Sequence, residues 1–119
     1  MIIPLEPTPK PRMTQRDRWA KRPSVVRYYA FCDELRIMWG IQSYHQVVPP
    51  TLALRFNMPM PASWSKKKRL EMDGAPHQQT PDIDNLIKAF LDALCEDDSY
   101  VYSVTAEKYW SQQGSIEVV

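Results

Sequence analysis

The sequence of residues 81–94, PDIDNLIKAFLDAL, decides much of the fold. Its large apolar residues stand at positions 86, 87, 90, 91 and 94, a spacing that predicts an amphipathic helix with one continuous apolar face. Pro81 favours a first helical turn or an extended entry, and aspartate and asparagine are strong N-cap residues. We therefore predict a helix that begins within residues 82–85 and ends near Cys95–Asp97.

Acidic residues stand at both ends of this helix. Asp82 and Asp84 lie at its start, Lys88 lies one turn after Asp84, and Asp98 follows its end. A chain that returns along a sheet can bring Asp98 back towards the first two aspartates. Three converging carboxylates would bind Mg²⁺ or Mn²⁺, since these hard ions take oxygen ligands. Spacing alone also allows a simpler interpretation, in which the aspartates cap the helix and Lys88 is a solvated partner.

The flanking segments predict a small α+β domain. Residues 24–39 have a helical pattern, with Ser24 as N-cap and Gly40 as stop, and residues 63–80 form a loop of about 18 residues. Strands are predicted for residues 2–9 (a short edge strand), 51–58, 100–110 and 115–119. The order β-α-β-α-β-β indicates a small mixed sheet with helices packed on it, in a single domain over residues 1–119.

The composition excludes several classes of protein. The chain has 119 residues, of which 44% are hydrophobic and 24% charged, as is typical of globular proteins. Its apolar stretches are too short to span a membrane, and its N-terminus lacks the pattern of a signal peptide. Cys32 and Cys95 lack metal-ligand spacing. We expect reduced thiols, a cytoplasmic location and no membrane partner.

Charge is divided unevenly along the chain. Residues 1–69 contain 13 Lys and Arg against 4 acids, whereas residues 70–119 contain 2 against 10. This pattern fits a protein that meets nucleic acid with one surface and holds metal with another. A dimer with complementary faces would also produce it.

The stretch PDIDNLIKAFLDAL, followed by DDSYV, resembles the RusA family of Holliday-junction resolvases, which includes versions carried by phages and prophages. That family has the motif D-x-D-N-L-x-K-x-x-x-D-A-L and a downstream D-D-x-x-V, and both are present here. The segments PRMTQRDRW and SWSKKKR…PH…PD also look like its phage-type members. The resemblance is strongest over residues 81–101.

The resemblance implies a small homodimeric endonuclease that depends on Mg²⁺ or Mn²⁺ and cuts four-way DNA junctions symmetrically. By position, Asp82, Asp84 and Asp98 match the three metal-binding aspartates of the family, and Lys88 matches its lysine. Asp97, next to Asp98, is a weaker candidate for the third ligand. The short connection after the helix leaves open which of the two carboxylates points inward. The sequence leaves the pathway open between DNA recombination, repair and the resolution of branched phage DNA.

Two basic segments become DNA contacts under this interpretation. They contain Arg12, Arg16, Arg18, Lys21 and Arg22 in the first, and Lys66, Lys67, Lys68 and Arg69 in the second. Trp19 or Trp64 could stack on an opened base, or could pack against the core instead. His77 is expected to be a solvated loop histidine.

A dimer would suit the symmetry of a junction, which has two equivalent strands to cut. The helix at 24–39 is apolar on more than one side, which suggests a partner surface. Two other functions stay open at this point. One is a DNA-binding accessory protein that recognises branched DNA without cutting it, and the other is a metal-dependent phosphodiesterase that acts on other branches or flaps.

Overall fold

The computed structural model describes residues 1–14 and 22–119. Over these residues the elements are β1 (Ile2–Ile3), α1 (Pro23–Gln42), β2 (Thr51–Pro59), α2 (Lys66–Met72), α3 (Ile83–Leu94), β3 (Ser103–Ser111) and β4 (Ser115–Val118). The predicted α+β class with a small mixed sheet is confirmed. The chain forms two compact units, a sheet unit (residues 1–7, 49–80 and 101–119) and a helix unit (residues 8–48 and 81–100).

The sheet unit contains four strands in the order β1-β4-β2-β3. Strands β2 and β3 are parallel, and β4 is antiparallel to β1 and to β2. The predicted edge position of β1 is confirmed. The turn after β3 does not form a hairpin, because the chain crosses to the far side of β2. Gly114 makes this passage possible, since a Cβ there would lie 2.8 Å from the Cα of Glu6.

Strand β2 follows the predicted alternation. Leu52, Leu54, Phe56 and Met58 are buried, while the residues between them are at least partly exposed. Alternate side chains of a strand point to opposite faces, so β2 gives the sheet one apolar face and one polar face. On the polar face, Arg55 lies 4.0 Å from the ring centroid of Tyr109 and pairs with Glu117 at 3.3 Å.

In the helix unit, α1 is longer than predicted at both ends. It begins at Pro23, with Arg22 rather than Ser24 as N-cap, because proline suits a first turn that needs no N–H donor. Gly40 does not end it, and the helix continues to Gln42. Gly40 serves packing instead, since a Cβ there would lie 3.1 Å from the ring of His45.

The buried face of α3 is shifted from the predicted one. Leu86, Ala89, Phe90 and Ala93 are buried, whereas Ile87, Leu91 and Leu94 are partly exposed. The two small alanines allow α1 to approach closely. Trp39 of α1 meets Phe90 edge-on with 6.2 Å between ring centroids, and Arg36 donates its Nε hydrogen to the Ala93 carbonyl at 2.8 Å.

The predicted loop at residues 63–80 contains α2, so the prediction of 18 residues without regular structure is wrong. Ser65 is its N-cap, and the Ser65 hydroxyl accepts the Lys68 N–H at 3.1 Å. A serine before a run of good helix formers is a helix-start pattern. The sequence therefore contained the signal.

Two further expectations concern the whole chain. Cys32 and Cys95 are both free cysteines. Among the helices in the described ranges, none is long and apolar enough to cross a membrane.

Candidate active site

The start of α3 carries two of the predicted site residues. Asp82 is the N-cap, in an extended conformation with φ −67° and ψ 144°, and Asp84 lies in the first helical turn. Both residues are exposed. The Asp82 side chain makes no capping hydrogen bond, so its carboxylate is not used to satisfy the helix end. The helix thus begins where the sequence predicted.

Lys88 lies one turn further along the same face of α3. Its Nζ atom is 3.8 Å from Oδ2 of Asp84, and both side chains are more than half exposed. An exposed i,i+4 pair of this kind contributes little to stability. The pair is therefore available to a ligand, because the protein loses little stability when a phosphate or a cation takes the place of either partner.

Asp97 and Asp98 follow the other end of α3. The Asp97 carboxylate accepts the Ser99 N–H at 2.9 Å, and this backbone hydrogen bond lowers the pKa of Asp97. Burial raises the pKa of the Cys95 thiol, and the charge of Asp98 acts in the same direction. The charge of Asp98 is therefore felt at Cys95, the C-cap of α3, whereas Asp82 and Asp84 lie at the other end of this helix.

Within residues 1–14 and 22–119, no three His, Cys, Asp or Glu side chains form a group that could hold a metal ion. The three predicted ligands are therefore not brought together as a set. The third-ligand role of Asp98 stays a prediction. Asp97 is the weaker alternative, because its carboxylate is occupied by its own turn.

The pair Asp82 and Asp84 nevertheless suits a divalent metal ion. Mg²⁺ keeps several of its waters and is usually held by one or two carboxylates together with phosphate oxygens of a substrate. The two aspartates offer exposed carboxylate oxygens from one end of one helix. This donor set fits Mg²⁺ or Mn²⁺ without requiring a closed protein cage.

A pocket of about 530 Å³ lies beside these residues. Its lining consists of Lys10, Pro11, Arg12, Met13, Asn85 and Lys88. Two segments therefore build it, the first half of α3 and the chain before α1. The backbone N–H of Lys10 donates to the Asn85 carbonyl at 3.1 Å, which fastens one segment to the other. The pocket places cations next to the acidic start of α3.

Asp92 is the next acidic residue along α3, and it is already engaged. Its Oδ2 atom forms an ion pair with Lys10 and accepts the Tyr28 hydroxyl at 3.5 Å. Burial raises the pKa of Tyr28, with smaller contributions from the neighbouring Cys32 and Asp92. Tyr28 therefore stays protonated and acts as a donor to Asp92.

The first predicted DNA-binding segment is described only in part. Arg12 lines the pocket, and Arg22 donates to the Arg12 carbonyl at 2.6 Å. The other members, Arg16, Arg18 and Lys21, lie outside the described residues, as does Trp19.

The second segment is α2 with its cap. Lys66 and Lys67 are exposed, whereas Arg69 is partly buried and donates to the Pro61 carbonyl at 3.0 Å. Lys68 lies 4.3 Å above the ring centroid of Trp64. The segment thus presents its lysines outward, while its arginine helps to hold it in place.

Trp64 packs against the core of the sheet unit, as one of its two predicted roles required. Its ring centroid is 4.7 Å from that of Trp110, which is 6% exposed. Lys68 covers one side of the Trp64 ring, so a base that stacked on this side would displace it.

The prediction of a solvated His77 is wrong. His77 is 5% exposed, and its ring centroid lies 4.3 Å from that of Trp110. Its Nδ1 atom is buried without a hydrogen-bond partner. Burial lowers the pKa of His77, and the charge of Lys108 acts in the same direction. His77 is therefore a neutral core residue at physiological pH.

Sequence reasoning missed Lys10 and Asn85 as site residues. Lys10 is the first cation of the basic segment, and Asn85 follows directly after the two aspartates. The signal for Asn85 was its position in the motif. The ion pair between Lys10 and Asp92 left no local signal, because 82 positions separate the two residues.

An acidic helix start beside a cationic pocket, on an α+β scaffold, suits a protein that acts on phosphodiesters. The sequence matches the family described as Endodeoxyribonuclease RusA over residues 4–119. Because this match covers nearly the whole chain, the protein belongs to the RusA family of endodeoxyribonucleases. Comparison with curated proteins and with solved structures gave no match.

Proposed function

We propose that this protein is a divalent-metal-dependent endonuclease that resolves four-way DNA junctions by paired, symmetric hydrolysis of phosphodiesters. The observation that carries the proposal is the exposed pair Asp82 and Asp84 at the start of α3, with Lys88 one turn away, in a chain of this family. All three side chains are exposed to solvent.

Each residue has a distinct role in this proposal. Asp82 and Asp84 hold Mg²⁺ or Mn²⁺; the proposed third carboxylate, Asp98, does not lie in one group with them in the described residues. When bound, such an ion activates water and stabilises the departing oxygen of a phosphodiester. Lys88 neutralises the scissile phosphate, whose negative charge would otherwise repel the carboxylates. The short distance between Lys88 and Asp84 supports this division, because one helical turn presents both a carboxylate and a cation to the same DNA strand.

The cations bind the DNA backbone irrespective of its sequence. Arg12 and Arg22 act beside α3, with Arg16, Arg18 and Lys21 between them in the sequence, and α2 supplies Lys66, Lys67, Lys68 and Arg69. Phosphate contacts of this kind weaken steeply as salt rises. We therefore expect junction binding to be strongly salt-dependent.

We also propose that the active form is a homodimer, since a junction has two equivalent strands to cut. Helix α1 exposes Val26, Tyr29, Ile37 and Ile41, at 48%, 57%, 62% and 70%. An apolar surface of this kind is typical of a partner interface. Sedimentation of the wild type beside Ile37→Glu tests this, and a wild-type monomer at micromolar concentration would contradict it.

The primary test is cleavage of a synthetic four-way junction in Mg²⁺ or Mn²⁺, with wild type beside Asp82→Asn. Asp33→Asn is a matched control, because it removes an exposed aspartate from α1. We expect paired symmetric nicks from the wild type and the control, and binding without cleavage from Asp82→Asn. A flap and a plain duplex serve as competitors.

Two results would count against the proposal. Tight junction binding without cleavage by the wild type in either metal would favour a non-cleaving accessory protein. Equal cleavage of flaps and junctions would favour a broader phosphodiesterase.

A further inference from the structure

The chain before α1, residues 8–14, contacts the rest of the helix unit through Lys10 and through the Arg12 carbonyl, which accepts a hydrogen bond from Arg22. We call this segment the arm. The backbone N–H of Lys10 donates to the Asn85 carbonyl at 3.1 Å, and the Lys10 ammonium pairs with Asp92. Asp92 also accepts the Tyr28 hydroxyl at 3.5 Å. One carboxylate therefore joins the arm, α1 and α3.

The pocket that the arm forms with α3 has the chemistry of an anion site. None of the described residues that line it is acidic, and Arg12 and Lys88 face it from the two segments. The Asn85 side chain adds an amide that can donate. Arginine presents a planar fork of donors that matches phosphate geometry. The pocket, of about 530 Å³, has room for a phosphodiester and its waters.

Asp92 stands out because its charge is opposite to the one this surface would use. An acid close to a DNA-binding pocket repels phosphates, unless another partner neutralises its charge. The ion pair with Lys10 neutralises it. The carboxylate also has a use here. Its ion pair holds the arm, and the arm places Arg12 at the pocket.

We propose that this pocket binds one phosphodiester of the DNA through Arg12 and Lys88, and that Asp92 is a positioning residue that holds the arm in place by way of Lys10. The identity of the anion as DNA rests on the proposed function. The role of Asp92 rests on the hydrogen bonds and the ion pair of the arm.

The proposal predicts an effect of unusual sign. Removal of an acid near a nucleic-acid surface normally strengthens binding, because repulsion is relieved. If Asp92 holds the arm, Asp92→Asn instead weakens binding, because Arg12 is no longer delivered. A residue that acted only through its charge would give the opposite result.

The experiment measures the affinity of the full chain for a synthetic four-way junction, in EDTA, between about 50 and 200 mM salt. We expect Arg12→Gln to reduce the magnitude of the slope of log K against log salt by about 0.9, the value for one phosphate that is no longer neutralised. Asp92→Asn should reduce it in the same direction and by at most this amount, because the hydrogen bonds of the Lys10 N–H and the Arg12 carbonyl remain. The double variant should bind no more weakly than Arg12→Gln, because Asp92 acts through Arg12.

Two controls keep the result interpretable. Glu34→Gln removes an exposed acid from α1, and we expect equal or slightly tighter binding. Asp92→Ala breaks the same ion pair and also leaves every cation of the pocket in place, so it replaces Asp92→Asn if that variant does not fold, as judged by thermal melting. Lys10→Arg preserves the ion pair with Asp92, and its affinity for the junction should equal that of the wild type.

Tighter binding by Asp92→Asn, or effects that add in the double variant, would overturn the proposal. This outcome is separable from failure of the proposed function, because the assay needs neither metal nor cleavage. A wild type that cuts junctions while Asp92→Asn binds tighter would refute only the role of the arm. A wild type that does not cut, with the expected weakening by Asp92→Asn, would refute only the nuclease function.

Discussion

Two cationic regions of the molecule are fixed by different kinds of interaction. The arm is held to α3 by an ion pair and a backbone hydrogen bond at the protein surface. Helix α2 contacts a row of tilted rings, which we call the stack: Lys68 Nζ lies 4.3 Å from the ring centroid of Trp64, and the centroids of Trp64, Trp110 and His77 follow at 4.7 and 4.3 Å. The inner half of the stack is buried, whereas Lys10 and Asp92 are each 36% exposed at the side chain.

Because of this difference, we expect the arm to matter mainly for DNA binding and the stack mainly for the free energy of unfolding. An exposed ion pair is screened by salt and contributes little to the free energy of unfolding. A buried aromatic contributes several kcal/mol through its packing. We therefore expect changes at the start of α3 and the arm to alter DNA processing with little effect on stability, and changes in the stack to act first on stability.

The largest effect is expected for Trp110→Ala. Trp110 is 6% exposed and packs against both Trp64 and His77, so truncation leaves a cavity beside both rings. The free energy of unfolding should fall by about 3–5 kcal/mol. Urea denaturation measures it. Trp64→Phe keeps an aromatic ring and should cost clearly less, and an equal fall in both variants would contradict the stack as the source of the effect.

Asp84→Asn should reduce cleavage by about 100-fold or more, because it removes a proposed metal ligand. Its melting temperature should match that of the wild type, since the Asp84 pair with Lys88 is exposed. Single-turnover cleavage and thermal melting measure the two quantities. Full activity in this variant would remove the carboxylate pair from the mechanism, and a large drop in melting temperature would erase the contrast between the two regions.

A smaller effect is expected for Lys66→Gln combined with Lys67→Gln. Both lysines are exposed on α2, so stability should not change. Junction affinity should fall, and the slope of log K against log salt should decrease in magnitude by up to about 0.9 for each phosphate that these lysines neutralise in the wild type. Fluorescence anisotropy against salt measures the slope. Glu71→Gln, on the same helix, is the matched control, and an unchanged slope in the double variant would remove α2 from the DNA surface.

The smallest effect is a pH dependence of stability from His77. The pKa of His77 is lowered in the folded protein, mainly by burial and to a smaller extent by the charge of Lys108. The unfolded chain therefore binds the proton more readily. The contribution of His77 is complete above the unfolded pKa of about 6.5 and is lost as pH falls from there towards the folded pKa. Urea midpoints between pH 5 and 8 measure it. In His77→Leu this part of the pH dependence should disappear, and its persistence would assign it to other groups.

Local patterns predicted those features that depend on neighbours in sequence. The start of α3 directly after Asp82 followed from the residue types there and the apolar spacing, although the Asp82 side chain makes no capping hydrogen bond. The alternation of β2 followed from its pleat. The buried face of α3 could not be predicted, because the approach of α1 decides that Ala89 and Ala93 are inside. The place of β4 between β1 and β2 depends on a crossover that no turn residue encodes.

The candidate site divides in the same way. Asp82, Asp84 and Lys88 are close because one helix carries them, so spacing was enough. The positions of Asp98 and of the arm depend instead on the path of the chain after α3 and after β1, which spacing does not determine. The sequence predicted a return that gathers three acids, whereas no such group forms among the described residues, and Lys10 pairs with Asp92 instead.

The position of β4 also determines when the sheet can be completed during synthesis of the chain. Strand β1 pairs with β4, and β4 joins it to β2, so residues 2–3 wait for residues 116–117 before the sheet closes. Contacts between such distant positions are slow to form, since a long loop must be closed first. Nascent chains on the ribosome therefore lack the completed sheet until residues 115–118 have emerged.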